Sequence, residues 1–436
     1  MDSLPDEILL HIFSYLNMKD LVFSAQYVCR RWLRVSRDDA LWQDKLYNPS
    51  DESEPEILVR LQKMPSLRAF HLHRRPTDVI LETLSSCCKN LVELDISCLE
   101  ISSYPTINYS TLYKLVVHCP NIEMLSIPDT LVTFDEFSNV IARWKKLTEL
   151  EIVGAAKKPL SLRPIGDGCP SLKHIGLYSG YYRNEDLEYV LRKKRDTIVS
   201  VVLPWSVEEG KSTIPVLKVC CEKIEALKIC DYREVMVQES LDTLVSLVHL
   251  KKLWMYGLEN LSVQKLMPVF EGGSLSNLVM LDLSYYESLD DRLAQTICIK
   301  CPLLQQLSFH CSCLLTGEGL RFISSLKKLV FLDLYWCSGI TDDGIVFVVE
   351  CQTLRDLNIA GCVQLTEYSM QMLVTLHQLR SLILSGCTVK GLPFRSFPTH
   401  LPFLRKLDLK YCEEVDIEAL NELELQMPNL SVERMV

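Results

Sequence analysis

The sequence predicts an α/β fold: a three-helix segment at the amino terminus, then a right-handed solenoid. The solenoid is expected as a horseshoe with a parallel sheet on its concave face and helices on its convex face. Three observations carry this expectation. An apolar motif returns about every 25 residues from Leu67 onwards, cysteines keep the same register, and the first 48 residues stand outside that period while concentrating apolar side chains at helical spacing. The expected organisation is a helical domain at 1–48, a connecting segment at 49–64, and about 14 repeats over 65–436.

At 436 residues the chain is too long for one ordinary core, so several domains or one repeat array are expected. Hydrophobic residues make up 48%, enough to build an extended interior and far from a disordered composition. A net charge of −10 argues against non-specific affinity for nucleic acid or anionic membrane. The opening MDSLPDEILLHIF has acids before its apolar run and no basic n-region, and no apolar run reaches membrane-spanning length. An intracellular protein of the cytoplasm or nucleus is therefore expected.

The motif L-x-x-L-x-L, with other large apolar residues allowed, starts at Leu67, Leu91, Ile122, Leu147, Leu172, Ile198, Ile224, Leu250, Leu278, Leu304, Leu329, Leu354, Leu379 and Leu404, with a weaker start at Leu430. Steps of 24 to 31 residues, most of them 25 or 26, hold over the whole stretch. Alternation such as Leu332-Asp333-Leu334 predicts a short half-buried strand, and residues 343–350 predict the helix that follows. One such unit cannot bury its apolar side alone, whereas stacked units can.

Thirteen of the eighteen cysteines fall into two columns. Cys98, Cys230, Cys311, Cys337, Cys362, Cys387 and Cys412 follow strands, and Cys88, Cys119, Cys169, Cys221, Cys301 and Cys351 sit three residues before a strand motif. Thiols at such positions are expected as small buried side chains. Zinc binding by Cys298, Cys301, Cys311 and Cys313 is the competing reading of the C-x-x-C spacing, and the repeat register disfavours it. With its turn at Cys337, Ile340, Thr341, Asp342 and Gly344, the stretch 333–362 resembles the cysteine-containing subclass of leucine-rich repeats.

In residues 1–48, Asp2 or Ser3 is expected to cap a helix opened by Pro5, Asp6 and Glu7. Ile8, Leu9, Ile12, Phe13 and Leu16 line one face; Leu21 opens a second helix, and a third carries Val28, Trp32 and Val35. About 45 residues cannot make a self-sufficient core from so many large apolar side chains, which points to a partner surface. The string from Leu4 to Trp42 resembles an F-box: Leu4-Pro5, Ile12-Phe13, Leu16, Asp20-Leu21, Val28-Cys29-Arg30-Arg31-Trp32 and Leu41-Trp42 match.

The resemblance is to the F-box and leucine-rich-repeat proteins, substrate receptors of SCF-type cullin-RING ubiquitin ligases. It implies a Skp-type adaptor bound by Leu4, Pro5, Leu9, Ile12, Leu16, Leu21, Val28, Cys29 and Trp32, with Leu41 and Trp42 packed beneath. Cullin and RING subunit would join through the adaptor. The repeats would hold a protein target for ubiquitination and proteasomal degradation, and the chain itself would be non-catalytic and cofactor-free. A repeat scaffold that binds the adaptor without directing ubiquitination is the alternative.

Residues beside the buried strand positions are expected on the concave face. Glu93, Asp95, Glu149 and Glu151 make its early part acidic, and His174, Tyr178, Lys252, Trp254, Tyr256, Phe331, Asp333, Tyr335, Asp356 and Asn358 follow. Trp205, Tyr285 and Trp336 lie just beyond strand ends. Exposed aromatics on a sheet are typical anchors. Tyr178, Trp254, Tyr256, Phe331, Tyr335, Glu149 and Glu151 are therefore the candidate target-binding residues, suited to a partner with a basic part and an apolar anchor. Two longer steps, around residues 102–108 and 271–273, read as surface loops, and the basic run at 192–195 as a solvated helical face. Phosphate-loop, dinucleotide and H-E-x-x-H motifs are absent from the sequence.

Overall fold

The structure is a computed structural model describing residues 4–74, 76–97, 107–128, 134–153, 160–178, 182–203, 213–220, 222–229, 238–258 and 261–434. Asp2, Ser3, Cys98, Trp205, Cys221 and Cys230 lie outside the described residues. The chain divides into two compact units, Met1–Val207 and Glu208–Val436. Among the described residues no helix is long and apolar enough to cross a membrane.

The first unit opens with a helix over Asp6–Ser14. Pro5 is its N-cap, with φ −57° and ψ 155°, so the expected side-chain cap from Asp2 or Ser3 is replaced by a proline that pre-sets the entry. A second helix runs from Met18 to Val28 through a π-helical stretch, Leu21–Ala25. Asn17 caps it, its side chain accepting from the Asp20 amide at 2.8 Å. Cys29 is extended and ends it, so Val28 closes the second helix rather than opening the third, which spans Arg30–Ser36. Asp6 accepts from Arg31 at 2.7 Å and also pairs with Arg34, tying the first helix to the third. The hydrogen bond from Arg31 is the main reason the Asp6 carboxyl titrates below its usual range. Leu9, Phe13, Leu21 and Trp42 are fully buried, and Trp42 Nε1 donates to the Ser36 carbonyl at 2.9 Å.

The segment expected as a connector at 49–64 is built into the array. Strand β1 (Leu46–Tyr47) already pairs in parallel with β2 (Ala69–His71). Between them stands the helix Glu54–Leu61, closed by a Ser53/Glu56 capping box. Its acids serve as first-turn dipole partners and as acceptors, Glu52 receiving the Tyr47 hydroxyl at 2.8 Å and pairing with Arg60. The amino-terminal helices are fastened here. Gln26 donates to the Lys63 carbonyl at 2.9 Å, Ser66 to the Arg37 carbonyl at 2.8 Å, and Arg60 and Lys63 lie over the Phe23 ring.

The rest of the first unit adds β3 (Glu93–Asp95), β4 (Met124–Pro128), β5 (Glu149–Val153), β6 (His174–Leu177) and β7 (Ser200–Leu203), all parallel and in chain order. Phe70, Leu94, Leu125, Leu150, Ile175 and Val201 stand in one register, each wholly buried. The second unit carries β8 (Ala226–Ile229), β9 (Lys252–Met255), β10 (Met280–Asp282), β11 (Gln306–Ser308), β12 (Phe331–Asp333), β13 (Asp356–Asn358), β14 (Ser381–Ile383), β15 (Lys406–Asp408) and β16 (Ser431–Glu433), again parallel and sequential. Val432 pairs with Leu407, so the last repeat is one residue shorter before its strand than the start at Leu430 implied.

The cysteine columns are structural. Cys337, Cys362, Cys387 and Cys412 each donate to a carbonyl of the preceding turn, at Phe309, Leu334, Ile359 and Leu384, over 3.1 to 3.2 Å. A thiol fits because it is small, apolar and still a weak donor for the second lone pair of a carbonyl that already accepts a turn amide. Burial pushes Cys337 and Cys351 up to about 12, so neither is a thiolate near neutrality. Cys311 leaves the column: it takes a left-handed turn, and Ser312 occupies the buried place. Among the described residues, Cys298, Cys301, Cys311 and Cys313 do not converge as a metal cluster.

The turn Thr-Asp-x-Gly also stacks. Asp291 accepts from the amide and hydroxyl of Thr316, both at 2.7 Å, and Asp342 does the same for Thr366. Gly317 and Gly344 approach so closely that a Cβ on Gly317 would lie 2.7 Å from the Gly344 nitrogen. The run at 192–195 is a largely solvated face: Arg192, Lys193 and Arg195 are exposed, Arg192 pairing with Glu188 and Lys193 with Asp167 at the surface, and Lys194 alone of the four is buried.

Candidate functional site

The amino-terminal helices leave several large apolar side chains exposed. Ile8, Ile12, Tyr15 and Val28 are exposed by 46%, 42%, 78% and 58%, too much apolar area for a domain whose interior is already closed by Leu9, Phe13, Leu21 and Trp42. Of the residues expected at a partner surface, Pro5, Ile12, Val28 and Cys29 are exposed, and Leu4, Leu16 and Trp32 are half-buried. Leu9 and Leu21 are not at the surface. They have no exposed area, because both point into the space between the three helices that so short a chain must fill first. Trp32 meets Phe13 edge-on, with centroids 4.9 Å apart. Phe23 and Tyr27 are exposed too, but face Arg60 and Lys63. Ile8 and Tyr15, which were not expected as contacts, share an exposed face of the first helix with Ile12; the i, i+4 and i+7 spacing from Ile8 through Ile12 to Tyr15 is the signal for them.

The target-binding candidates fall into both units. In the first, Tyr178 donates to Glu151 at 3.0 Å, and His174 stands 3.5 Å from the same carboxylate oxygen. Glu151 is thus occupied within the sheet, while Glu149 is exposed. The acids further along β2 and β3 also have company: His71 meets Glu93 at 2.5 Å, and His73 lies 3.9 Å from Asp95.

In the second unit, Tyr256 and Phe331 line a recess of about 330 Å³, together with Asp282, Tyr285, His310 and Asp333. His310 is held between Tyr285 and Tyr335, at centroid distances of 4.8 and 4.4 Å, and Trp336 continues the row at 6.2 Å from Tyr335. The His310 Nε2 is buried with no hydrogen-bond partner among the described residues, while its Nδ1 is 3.8 Å from Asp333. Trp254 is half-buried, in register with Asp282, and is not one of the recess walls. Tyr256 lies under the Lys228 ammonium at 5.6 Å.

The carboxylates at strand ends are less available than their positions imply. Asp95, Asp282, Asp333 and Asp408 each accept an amide two residues on, from Ser97, Ser284, Tyr335 and Lys410, at 2.9 to 3.0 Å, and Asn358 does the same for Ala360. These side chains shape the turn that leaves the strand.

After that turn comes a column of left-handed residues: Gly257, Tyr285, Cys311, Trp336, Gly361, Gly386 and Tyr411, with φ from 55° to 72°. The first six donate their amides to a carbonyl of the next repeat, as Trp336 does to Ala360 at 2.8 Å. Glycine suits this geometry; an L residue there costs about 1–2 kcal/mol. Yet Tyr285, Trp336 and Tyr411 occupy it and are 44%, 57% and 73% exposed. Large exposed aromatics in strained positions are a mark of a working surface. Tyr411 and His310 were not singled out from the sequence, although their 25-residue spacing from Gly386 and Tyr335 would have given them.

Comparison with known proteins bears on the same parts. The F-box-like family model matches residues 1–47. F-box protein SKIP1 of Arabidopsis thaliana is 24% identical over 40% of this chain and 77% of its own length. Putative F-box/LRR-repeat protein 22 of the same plant is 24% identical over 40% of this chain and 50% of its own, and F-box/LRR-repeat protein 12 of Homo sapiens is 34% identical over 28% and 41%. The last two are therefore matched over half their length or less. A chain from the crystal structure of the Rad7 and Elc1 complex in yeast superposes over 98% of this chain and 87% of that one, at 17% identity and a TM-score of 0.49.

Proposed function

We propose that this chain, similar to F-box and leucine-rich-repeat proteins, is the substrate-recognition subunit of an SCF-type ubiquitin ligase. Its amino-terminal domain docks a Skp-type adaptor, through which a cullin and a RING subunit join. Its repeats hold a protein target. The chain supplies position, and the transfer chemistry belongs to the other subunits.

The observation that carries the proposal is the apolar surface of Ile8, Ile12, Tyr15 and Val28 on a domain that has closed its own core. Burying what Ile12 and Val28 still expose against a partner would contribute roughly 0.5–1.5 kcal/mol each, about half the value of a fully exposed side chain. Fastening of this domain to the helix Glu54–Leu61 supports the rest: a receptor that fixes its target at a set distance needs a stiff joint. The aromatic row through Tyr285, His310, Tyr335 and Trp336, beside the recess walled by Asp282 and Asp333, suits a target segment with an apolar anchor and a basic group.

Affinity purification with quantitative mass spectrometry tests both halves. The intact chain is compared with a Leu4→Ala, Pro5→Ala variant and with a Trp254→Ala, Tyr335→Ala variant. The first is expected to lose adaptor and cullin and to accumulate another protein, the candidate target. The second is expected to lose that protein and keep the adaptor. Absence of adaptor and cullin from the intact chain overturns the receptor reading.

A further inference from the structure

On β2 and β3 the face of the first unit gathers a donor set that the receptor role does not use. His71 and His73 are two residues apart along β2 and its exit, so they stand on one face. Asp95 is directly across from His71 in the parallel register. Donor atoms of His71, His73 and Asp95 all lie within 4.8 Å of one another, and among the described residues this is the single His/Cys/Asp/Glu group of that kind. The two imidazole rings meet edge-on with centroids 5.9 Å apart.

The surroundings orient these groups. Asp95 Oδ1 is taken by the Ser97 amide at 2.9 Å and the Ser97 hydroxyl at 2.6 Å, which leaves Oδ2 on the side of His73 Nδ1, 3.9 Å away. Glu93 meets His71 Nε2 at 2.5 Å and fixes the orientation of that ring. A metal-binding histidine is commonly held by a carboxylate in this way. His71 and Asp95 are mostly buried, with 19% and 20% of their side chains exposed, whereas His73 is half exposed and can turn inward.

We propose that His71, His73 and Asp95 bind a divalent transition metal, zinc by the character of the donors, and that Glu93 is a positioning residue of that site. Two imidazoles and one carboxylate form a donor set that zinc takes with a fourth position open to water. A tetrahedral site needs donors about 3.3 Å apart, so closing from 4.8 Å asks for a side-chain rotation, which the exposed His73 supplies. Bound metal would clip β2 to β3.

Cobalt(II) titration of the full-length protein under reducing conditions tests this, with zinc displacement and thermal melts alongside. One equivalent of cobalt is expected to give the visible d–d bands of a low-coordinate nitrogen and oxygen site, without the near-ultraviolet charge-transfer band of a thiolate. Zinc should abolish those bands and raise the melting midpoint. His73→Ala should remove both effects, with an unchanged far-ultraviolet spectrum showing that the fold persists. Glu93→Gln should weaken binding about 10- to 100-fold. The site is overturned by absence of d–d bands, by a thiolate band in their place, or by bands and zinc stabilisation that persist in a His71→Ala, His73→Ala variant.

Discussion

Asp342 holds Thr366 of the next repeat by two hydrogen bonds, one from its amide at 2.9 Å and one from its hydroxyl at 2.5 Å. Thr366 in turn caps its own helix, accepting from the Tyr368 amide. One carboxylate therefore starts the next helix as well as joining two turns of the solenoid. Asp342→Ala is expected to cost about 1–2 kcal/mol in urea denaturation, the worth of a lost cap and its charged hydrogen bonds.

The same carboxylate sets a pH dependence. Burial raises its pKa, but the hydrogen bonds from Ser369 and Thr366 outweigh burial, and the net direction is downward. A carboxyl with a depressed folded pKa contributes stability that is present above its unfolded value of about 4 and is lost as pH falls through the lower folded value. Urea midpoints measured from pH 6 down to pH 2 should drop more steeply for the unmodified protein than for Asp342→Asn. Parallel curves would remove Asp342 as a cause.

Gly317→Ala should destabilise by about 1–3 kcal/mol, the range for forced overpacking. The new Cβ would stand 2.7 Å from the Gly344 nitrogen and 3.1 Å from its Cα, and backbone cannot step aside as a flexible side chain can. Gly273→Ala is a control of another kind: nothing lies near its Cβ position, so its cost comes from a φ of +72° alone. Equal behaviour of Gly317→Ala and the unmodified protein in denaturation would contradict the close approach.

Tyr411→Gly is expected to stabilise the fold. The residue has φ 57° and is 73% exposed, so little packing is lost. Relief of about 1–2 kcal/mol of left-handed strain exceeds the roughly 0.5–1 kcal/mol that glycine's greater freedom in the unfolded chain takes back. A net gain of about 0.5–1 kcal/mol should appear as a higher urea midpoint. A loss instead would mean that the tyrosine makes contacts which its exposure does not suggest.

Interior and surface of the amino-terminal domain should separate by mutation. Leu9→Ala leaves a cavity in a wholly buried place and should cost about 2–5 kcal/mol in stability. Ile12→Asp with Val28→Asp alters exposed positions, so the melting midpoint should stay near that of the unmodified protein while adaptor capture is lost. Adaptor capture by the double variant at full strength would count against this surface.

Much of the fold was legible because its instructions are local and repeated. A buried Leu or Ile at a fixed offset in each turn can be read without knowing what it touches, and from Leu67 to Leu404 the motif starts stand two residues ahead of the observed strands. Irregular places were misread where one repeat departs from its neighbours. Strand β1 lies ahead of the first recognisable motif, Cys311 lies one residue off its column, and the last turn is a residue short. Candidate contacts were harder still. Leu9 and Ile12 look alike in sequence, and only the packing of three helices buries the first and exposes the second.

The sequence by itself determined the period, the parallel strands, the thiol column and the amino-terminal domain, because each follows from side-chain polarity at fixed spacing. Tertiary structure decided which polar groups remain available. Asp333 and Asn358 spend acceptor capacity on their own turns, Glu151 is engaged by Tyr178, and His71, His73 and Asp95 meet across two strands 24 residues apart in the chain. Strand register brings such groups together, and a pattern read along one chain carries no distance between neighbouring turns.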